Sequence, residues 1–403
     1  SEKTGYTQAY MYSSQGIEQR KLTTEQRDVT AVYGYDEKNH ILYYQAAVTP
    51  MTRHAFALNV KKGITTQLTQ AEGTHALWFS KDWKQYVDCY QSVSQPNQYT
   101  LYKAMSNGQW VMNRVVMDND SVLRAWKESG LPNKEFFSLT TERGDVLNAW
   151  QIKPQGFDAT KKYPVMIYFY EKNSETLYTS RNPAPSRSII NIPFFVSNGY
   201  VVFVPDIYYK DGHPGQSAMR SIMPGVEMLE KTYPWIDGEN MAIQGQSWGG
   251  YQVAYMITQT DKFKAAGSGA PVSNMTSAYG GIRWGSGITR QVQYEQGQSR
   301  IGKDLWSGYD LYYENSPLFF VPNVKTPVLI MHNDKDTAVP WYQGIEFFAS
   351  LRRCGKQAWM LQYKGEDHNL RERHNCKDLS EKLAEFFDHF LKGAPEPEWM
   401  KVK

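Results

Sequence analysis

The sequence predicts an α/β protein in two parts: an antiparallel β segment of partial repeats, then a larger domain on a doubly wound, mostly parallel sheet. Three observations predict it. Over residues 1–120, short aromatic or β-branched runs alternate with Gly/Asn/Asp turns, the pattern of hairpin-connected strands. From about residue 136, runs that are apolar throughout alternate with helical patterns, as expected of strands covered on both faces. The 403 residues are enough for two domains, and no polar low-complexity run argues for extensive disorder.

The amino-terminal third repeats itself. Ala9-Tyr10-Met11-Tyr12 leads to a turn at Gly16 and then to Arg20-Lys21-Leu22-Thr23, and Ala55-Phe56-Ala57-Leu58 leads likewise to Gly63 and Thr66-Gln67-Leu68-Thr69. A third start, Tyr99-Thr100-Leu101-Tyr102, meets Gly108. These glycines recur about every 46 residues, close to the period of a four-stranded propeller blade. Asp36-Glu37-Lys38-Asn39 before Ile41-Leu42-Tyr43-Tyr44 resembles Ser80-Lys81-Asp82-Trp83 before Tyr86-Val87, each a turn followed by the next strand. About two blades cannot close a propeller, which needs roughly four to eight. A free pair would expose sheet edges and an apolar face. The chain is therefore expected to be the carboxy-terminal part of a longer protein; the alternative is a self-contained small antiparallel domain.

Residues 121–135 read as a connector, with a helical stretch from Val122 to Glu128 ended by Gly130 and Pro132. The second domain then spans 136–403. Phe136 to Leu139 and Val146 to Lys153 form a hairpin across Glu142-Arg143-Gly144-Asp145. Strands are expected at Val165 to Tyr170, Tyr200 to Val204, Met241 to Ile243, Pro327 to Met331 and Trp359 to Tyr363. Helices are expected at Ser217 to Thr232, Tyr251 to Thr260, Trp341 to Cys354 and Asp378 to Lys392.

In such sheets chemistry collects beyond the carboxyl ends of the strands. Gly245-Gln246-Ser247-Trp248-Gly249-Gly250-Tyr251 lies between the strand at Met241 and the helix at Tyr251. A serine is a useful nucleophile only when a base takes its proton and the backbone lifts it clear; a sharp strand-to-helix turn does the lifting. The flanking residues are glycines because a side chain there would collide with the crossing strand and helix. His332-Asn333-Asp334-Lys335-Asp336 follows a later strand and Gly365-Glu366-Asp367-His368 follows the last. Ser, Asp and His thus occur in the chain order of an α/β-hydrolase triad, each on a post-strand loop. Asp336 is preferred as the acid, although pattern alone separates it little from Asp334, an apt turn former. His368 directly follows its strand and is preferred as the base to His374, near the start of the last helix, and His389, within it. His40, His54, His75 and His213 read as surface or packing residues.

Composition excludes other classes. The formal charge of +3 is small and spread along the chain, which argues against nucleic acid or anionic membrane as a partner. Aromatics at 14%, with 28 Tyr, suit a β-rich portion and apolar pockets. Cys89, Cys354 and Cys376 are too few for a disulfide framework and lack the spacing of a metal site. A Cys354–Cys376 bridge and buried free thiols are both open. No apolar run approaches a membrane span, and no signal peptide opens the chain. A periplasmic or secreted location is preferred if the chain is a trimmed piece of a longer precursor. No cofactor is expected: Gly267-Ser268-Gly269 lacks the rest of a dinucleotide fingerprint, and there is no Gly-Lys-Ser/Thr loop.

With these residues assembled, the region from about Phe136 to Lys403 resembles the catalytic domain of the prolyl oligopeptidase family of serine peptidases, including its dipeptidyl-peptidase branch. The strings that carry the resemblance are Lys162-Tyr163-Pro164-Val165, the Gly245–Tyr251 elbow, Gly269-Ala270-Pro271-Val272, His332–Asp336 with Val339-Pro340, and Gly365–His368. The family also carries an amino-terminal propeller, which the partial blades fit. The resemblance implies Ser247 as nucleophile, Asp336 as acid through the His-x-x-x-Asp string, and His368 as base through the Gly-x-x-His string. It implies an oxyanion hole from the Trp248 amide and the Tyr170 hydroxyl, the alternative for Tyr170 being a packing aromatic. A first specificity pocket is expected from Trp248, Val272, Met275, Tyr279 and Val339, by proximity to the matching motifs; a preference for proline or another small apolar residue is implied by the family alone. Two stretches depart from the family pattern. Glu171-Lys172-Asn173 stands where a Gly-Gly-Pro-like turn is usual, and Asp206-Ile207-Tyr208-Tyr209-Lys210-Asp211-Gly212 where Asp-x-Arg-Gly-x-Gly is common. Both put inherited specificity in doubt, and the propeller glutamates that hold a peptide amino terminus have no counterpart.

The expected function is hydrolysis of short peptides through an acyl-enzyme. The rivals are a carboxylesterase, because the same triad cleaves esters, and an inactive hydrolase fold that acts as a binding module. A peptide substrate is the expected partner, and homo-oligomerisation is left open.

Overall fold

The structure is a computed structural model that describes residues 1–141, 143–180 and 184–401. Its contacts divide the chain into two units, Ser1–Gly130 with Ser174–Arg181, and Leu131–Asn173 with Asn182–Lys403.

In the first unit, β1 (Tyr10–Tyr12) and β2 (Glu18–Lys21) pair as an antiparallel hairpin. Next, β3 (Val29–Asp36), β4 (Ile41–Thr49), β5 (Thr52–Asn59) and β6 (Ile64–Gln67) form an antiparallel meander. A second meander follows from β7 (Thr74–Phe79), β8 (Gln85–Gln91), β9 (Gln98–Ala104) and β10 (Trp110–Met117). A parallel bridge between Arg53 and Thr74 joins β5 to β7. The sequence repeat is therefore the outer hairpin of successive blades. β1–β2, β5–β6 and β9–β10 turn at Gly16, Gly63 and Gly108, whose φ values are 77°, 69° and 82°. Side chains alternate across each strand, and those on the facing surfaces stack the blades: Ala55, Leu77 and Tyr86 pack with Tyr33, Phe79, Tyr102 and Trp110. At the sheet edge, β10 exposes Met112, Val115, Val116 and Met117. The unit ends with α1 (Asp120–Glu128), stopped at Gly130, and also takes in α2 (Ser174–Leu177), which lies far along the sequence. Tyr178, just after α2, donates to Glu72 at 2.8 Å.

The second unit is built on one sheet. Its strands are β11 (Glu135–Thr140), β12 (Val146–Ile152), β13 (Tyr163–Tyr168), β14 (Val201–Pro205), β15 (Ile236–Gln246) and β16 (Ala265–Gly269). After the small ladder of β17 (Ile282–Arg283) and β18 (Ile288–Thr289) come β19 (Val328–Met331) and β20 (Ala358–Leu361). The sheet order is β11-β12-β14-β13-β15-β16-β19-β20, with β12 antiparallel to both its neighbours and every later pairing parallel. The helices are α3 (Ile192–Ser197), α4 (Pro214–Thr232), α5 (Trp248–Gln259), α6 (Met275–Tyr279), α7 (Gln291–Glu295), α8 (Tyr309–Glu314), α9 (Tyr342–Arg353) and α10 (Arg373–Lys392). One sheet face packs Val165, Ile167, Ile243 and Ile330 against Ile222 of α4, Val253 of α5 and Phe347 of α9. The other face meets α10, since a Cβ on Gly267 would lie 3.2 Å from the Phe387 ring. With both faces covered, β13, β14 and β19 are apolar or aromatic along their whole length, and the sheet is the α/β-hydrolase arrangement that the alternation predicts.

The expected strands and helices occur within a few residues of their places. β16, Ala-Ala-Gly-Ser-Gly, has no bulky side chain and does not stand out as an apolar run. Of the expected hairpin turn, Glu142 lies outside the described residues, as does Lys403 at the expected domain end. All three cysteines are free, Cys354 exposed and the other two buried, so Cys354 and Cys376 are not bridged. No helix among the described residues is long and apolar enough to cross a membrane.

Candidate active site

β15 ends at Gln246 and α5 begins at Trp248, so Ser247 alone makes the turn, with φ 61° and ψ −117°. An L-residue keeps that strained backbone only where its surroundings over-determine it. Here the Ser247 amide donates to the Gly269 carbonyl at 2.8 Å, and its own carbonyl accepts from the Tyr251 amide at 2.9 Å. Close approach requires the glycines. A Cβ on Gly245 would sit 2.5 Å from the Gly249 carbonyl carbon, and one on Gly250 would sit 2.0 Å from the Gly269 oxygen.

Asp336 and His368 lie on the loops after β19 and β20, at the same end of the sheet as Ser247. His368 Nδ1 is 2.6 Å from Asp336 Oδ2. A carboxylate only accepts, so Nδ1 carries the hydrogen and Nε2 is left as the acceptor of the ring. The other Asp336 oxygen accepts from the Ala338 and Val339 amides, each at 2.8 Å. Burial alone would push the Asp336 carboxyl up, but donors from His332 and His368 outweigh it and hold the group well below the usual carboxylate range. Ser247 and His368 line one pocket of about 470 Å³, together with Tyr168, Tyr170, Arg187 and Asn369. No hydrogen bond joins Ser247 to the His368 ring among the described residues. The structure thus brings Asp336 and His368 into contact and sets Ser247 beside them on a shared opening.

The alternatives to these residues have other partners. Asp334 accepts from the Gly365 amide at 2.7 Å and so ties one loop to the other. His374 is exposed on α10, and His389 Nδ1 lies 2.7 Å from the Ala394 carbonyl at the end of that helix. His40 pairs with Tyr35 and His213 with Glu314, while His54 and His75 are buried in the first unit.

Tyr170, two residues past β13, lies at the pocket, and its ring would be 3.5 Å from a Cβ on Gly249. The Trp248 amide, first in α5, has no acceptor within the helix. The Trp248 amide thus adjoins Ser247 in the chain, and Tyr170 lines the pocket that Ser247 also lines. Val272, Met275, Tyr279 and Val339 gather with Trp248 in one cluster against which Tyr170 packs. There they are at most 3% exposed, and the pocket that Ser247 and His368 line is bounded by other residues.

Several supporting residues lie in or beside the quoted strings, but the sequence pattern assigns them no role. His332 is fully buried, with Nε2 3.1 Å from the Val339 carbonyl and 3.3 Å from Asp336 Oδ2. Both neighbours are acceptors, so Nε2 bears the hydrogen, which bonds the Val339 carbonyl and lies close to the acid. Asn333 donates to the Asp367 carbonyl at 2.7 Å, and Asp367 accepts from the Thr337 amide at 3.0 Å, which sews the two loops together. Gln246 donates to the His368 carbonyl at 3.0 Å. Only the position of these residues after apolar strands signals them. Among the described residues no cluster of His, Cys, Asp and Glu could hold a metal ion.

Comparison with known proteins fits this arrangement. Residues 185–394 match the profile of the prolyl oligopeptidase family, and residues 1–97 match the dipeptidyl peptidase IV N-terminal region. An uncharacterized peptidase, YuxL, of Bacillus subtilis is 23% identical over 93% of this chain and 54% of its own length. A probable dipeptidyl peptidase 4 of Emericella nidulans is 26% identical over 68% of this chain and 37% of its own. The chain spans about half the length, or less, of these curated relatives. Among solved structures, dipeptidyl peptidase 4 of Porphyromonas gingivalis superimposes with a TM-score of 0.81 at 24% identity, over 97% of this chain and 54% of its own. Acylaminoacyl peptidase of Pyrococcus horikoshii superimposes with a TM-score of 0.74 at 19% identity, over 96% of this chain and 60% of its own. These two likenesses speak for the fold.

Proposed function

The chain belongs to the prolyl oligopeptidase family, and from that premise we propose that it is a serine peptidase that cleaves short peptides with Ser247, His368 and Asp336. His368 Nε2 takes the Ser247 proton as the oxygen attacks the peptide carbonyl, and Asp336 orients and stabilises the imidazolium that forms. The Trp248 amide and the Tyr170 hydroxyl receive the negative charge on the carbonyl oxygen, a contribution of a few kcal/mol per donor. His368 then protonates the leaving amine, and water, with His368 again as base, hydrolyses the acyl-enzyme. Substrate would enter the opening that Tyr170, Arg187, Ser247, His368 and Asn369 line.

The observation that carries this reading is the 2.6 Å contact between Asp336 and His368 on the pocket that the strained Ser247 also lines. The relatives named dipeptidyl peptidases support a peptide substrate. Turnover of a short-peptide p-nitroanilide library beside aryl esters tests it. Wild type is expected to cleave peptides and Ser247→Ala to lose the activity; turnover of esters alone would assign the site to a carboxylesterase.

A further inference from the structure

The two stretches that depart from the family pattern meet at one side chain. Arg300 Nη2 donates to Glu171 Oε1 at 2.7 Å, and its guanidinium lies 4.2 Å over the Tyr209 ring. Arg300 Nη1 donates to the Gln298 carbonyl at 2.5 Å, while Gln298 Nε2 donates to Glu171 Oε2 at 2.6 Å and reaches the Tyr170 hydroxyl at 3.5 Å. On the other side, the Tyr209 hydroxyl accepts from Trp248 Nε1 at 3.2 Å and Gln252 Nε2 at 2.6 Å. The Arg300 backbone is itself constrained, with φ 52° and its carbonyl 2.6 Å from the Gly212 amide.

We propose that the Glu171–Arg300 pair is a positioning device for the oxyanion hole, holding Tyr170 through Gln298 and Trp248 through Tyr209. The pair is not a site for substrate charge. Both carboxylate oxygens and both terminal guanidinium nitrogens are already bonded to protein, and the side chains are only 20% and 17% exposed. A half-buried pair of this kind constrains its neighbours because breaking it strands a charge. The three loops that follow β13, β14 and α7 are thereby locked around the two donors. In a site where removal of one donor costs roughly a hundredfold or more in rate, a small displacement of it is measurable.

The proposal rests on the serine peptidase reading, and the experiment separates the two. A fluorophosphonate reacts as Ser247 Oγ forms a bond to phosphorus, fluoride leaves, the serine proton passes to His368, and the phosphoryl oxygen occupies the oxyanion hole. Labelling gives kinact and KI without a known substrate. Glu171→Gln, nearly isosteric, is expected to lower kinact about tenfold and to leave KI within about twofold. Arg300→Met should do the same, and Arg300→Lys should recover part of the loss, since the charge returns without the planar fork. In a Tyr170→Phe background, Glu171→Gln should slow labelling by clearly less than its tenfold effect in wild type, because the loss that runs through Tyr170 is already taken and only the part that runs through Trp248 is left. Fully additive losses, or a raised KI with unchanged kinact, would overturn the positioning role while leaving the peptidase reading intact. If Arg300→Met fails to fold, Glu171→Gln still decides the matter. Wild type that takes no label at Ser247 would overturn both.

Discussion

Asp336 accepts hydrogen bonds from the Ala338 and Val339 amides and the His368 ring, with the His332 ring 3.3 Å away, in a place where its side chain has no exposure. Replacing it with Asn keeps the shape but reverses one donor–acceptor match, leaving His368 in the wrong tautomer. Turnover of Asp336→Asn is expected to fall roughly 10⁴-fold with little change in KM. The same group has a stability signature. Its folded-state pKa is lowered, so its contribution is present above the unfolded value of about 3.9 and is lost as pH falls from there toward the folded value. Urea unfolding of wild type and Asp336→Asn should therefore show a stability difference that shrinks below about pH 4; a difference that grew on acidification would contradict the lowered pKa. At this scale the sequence is informative where a polar residue stands on the loop that follows a strand, as Ser247, Asp336 and His368 do. It gives no role to His332, whose approach to Asp336 depends on how the loop folds back, and none to the pairing of Glu171 with Arg300, which are far apart in the chain.

The elbow is a property of two elements. α5 crosses β16 so closely that Gly250 and Gly269 touch through backbone, and a Cβ at Gly250 would have to push the helix off the strand. Gly250→Ala should lower the urea midpoint by about 1–3 kcal/mol worth of stability with an unchanged slope, and should slow acylation because Ser247 moves with the helix. An unchanged midpoint would mean that the crossing is looser than described. The same closeness explains why β16 is hard to read. Its residues are small to admit the helix, so the apolar run that marks β13, β14 and β19 is absent. The blade hairpins are legible for the opposite reason. A turn that needs positive φ takes glycine, and Gly16, Gly63 and Gly108 print the repeat on the sequence.

For the whole molecule, the contact units do not follow the chain. The described residues 174–180 belong to the first unit although their sequence lies within the second. Periodicity reports which face of an element is buried, not what it is buried against, so this allotment could not be read from residues 174–180. The chemistry proposed needs no ion, and turnover is expected to be unchanged after dialysis against EDTA; loss restored by a divalent cation would call for a different mechanism. The central claim is that Ser247, His368 and Asp336 work as one proton-transfer unit, and labelling with a fluorophosphonate followed by peptide mapping tests it most directly. The account predicts one adduct, on Ser247, formed by wild type, absent from Ser247→Ala and slowed at least a hundredfold, on the order expected for loss of a general base, in His368→Ala. Labelling of Ser247→Ala at the wild-type rate, or an adduct on another residue, would contradict it.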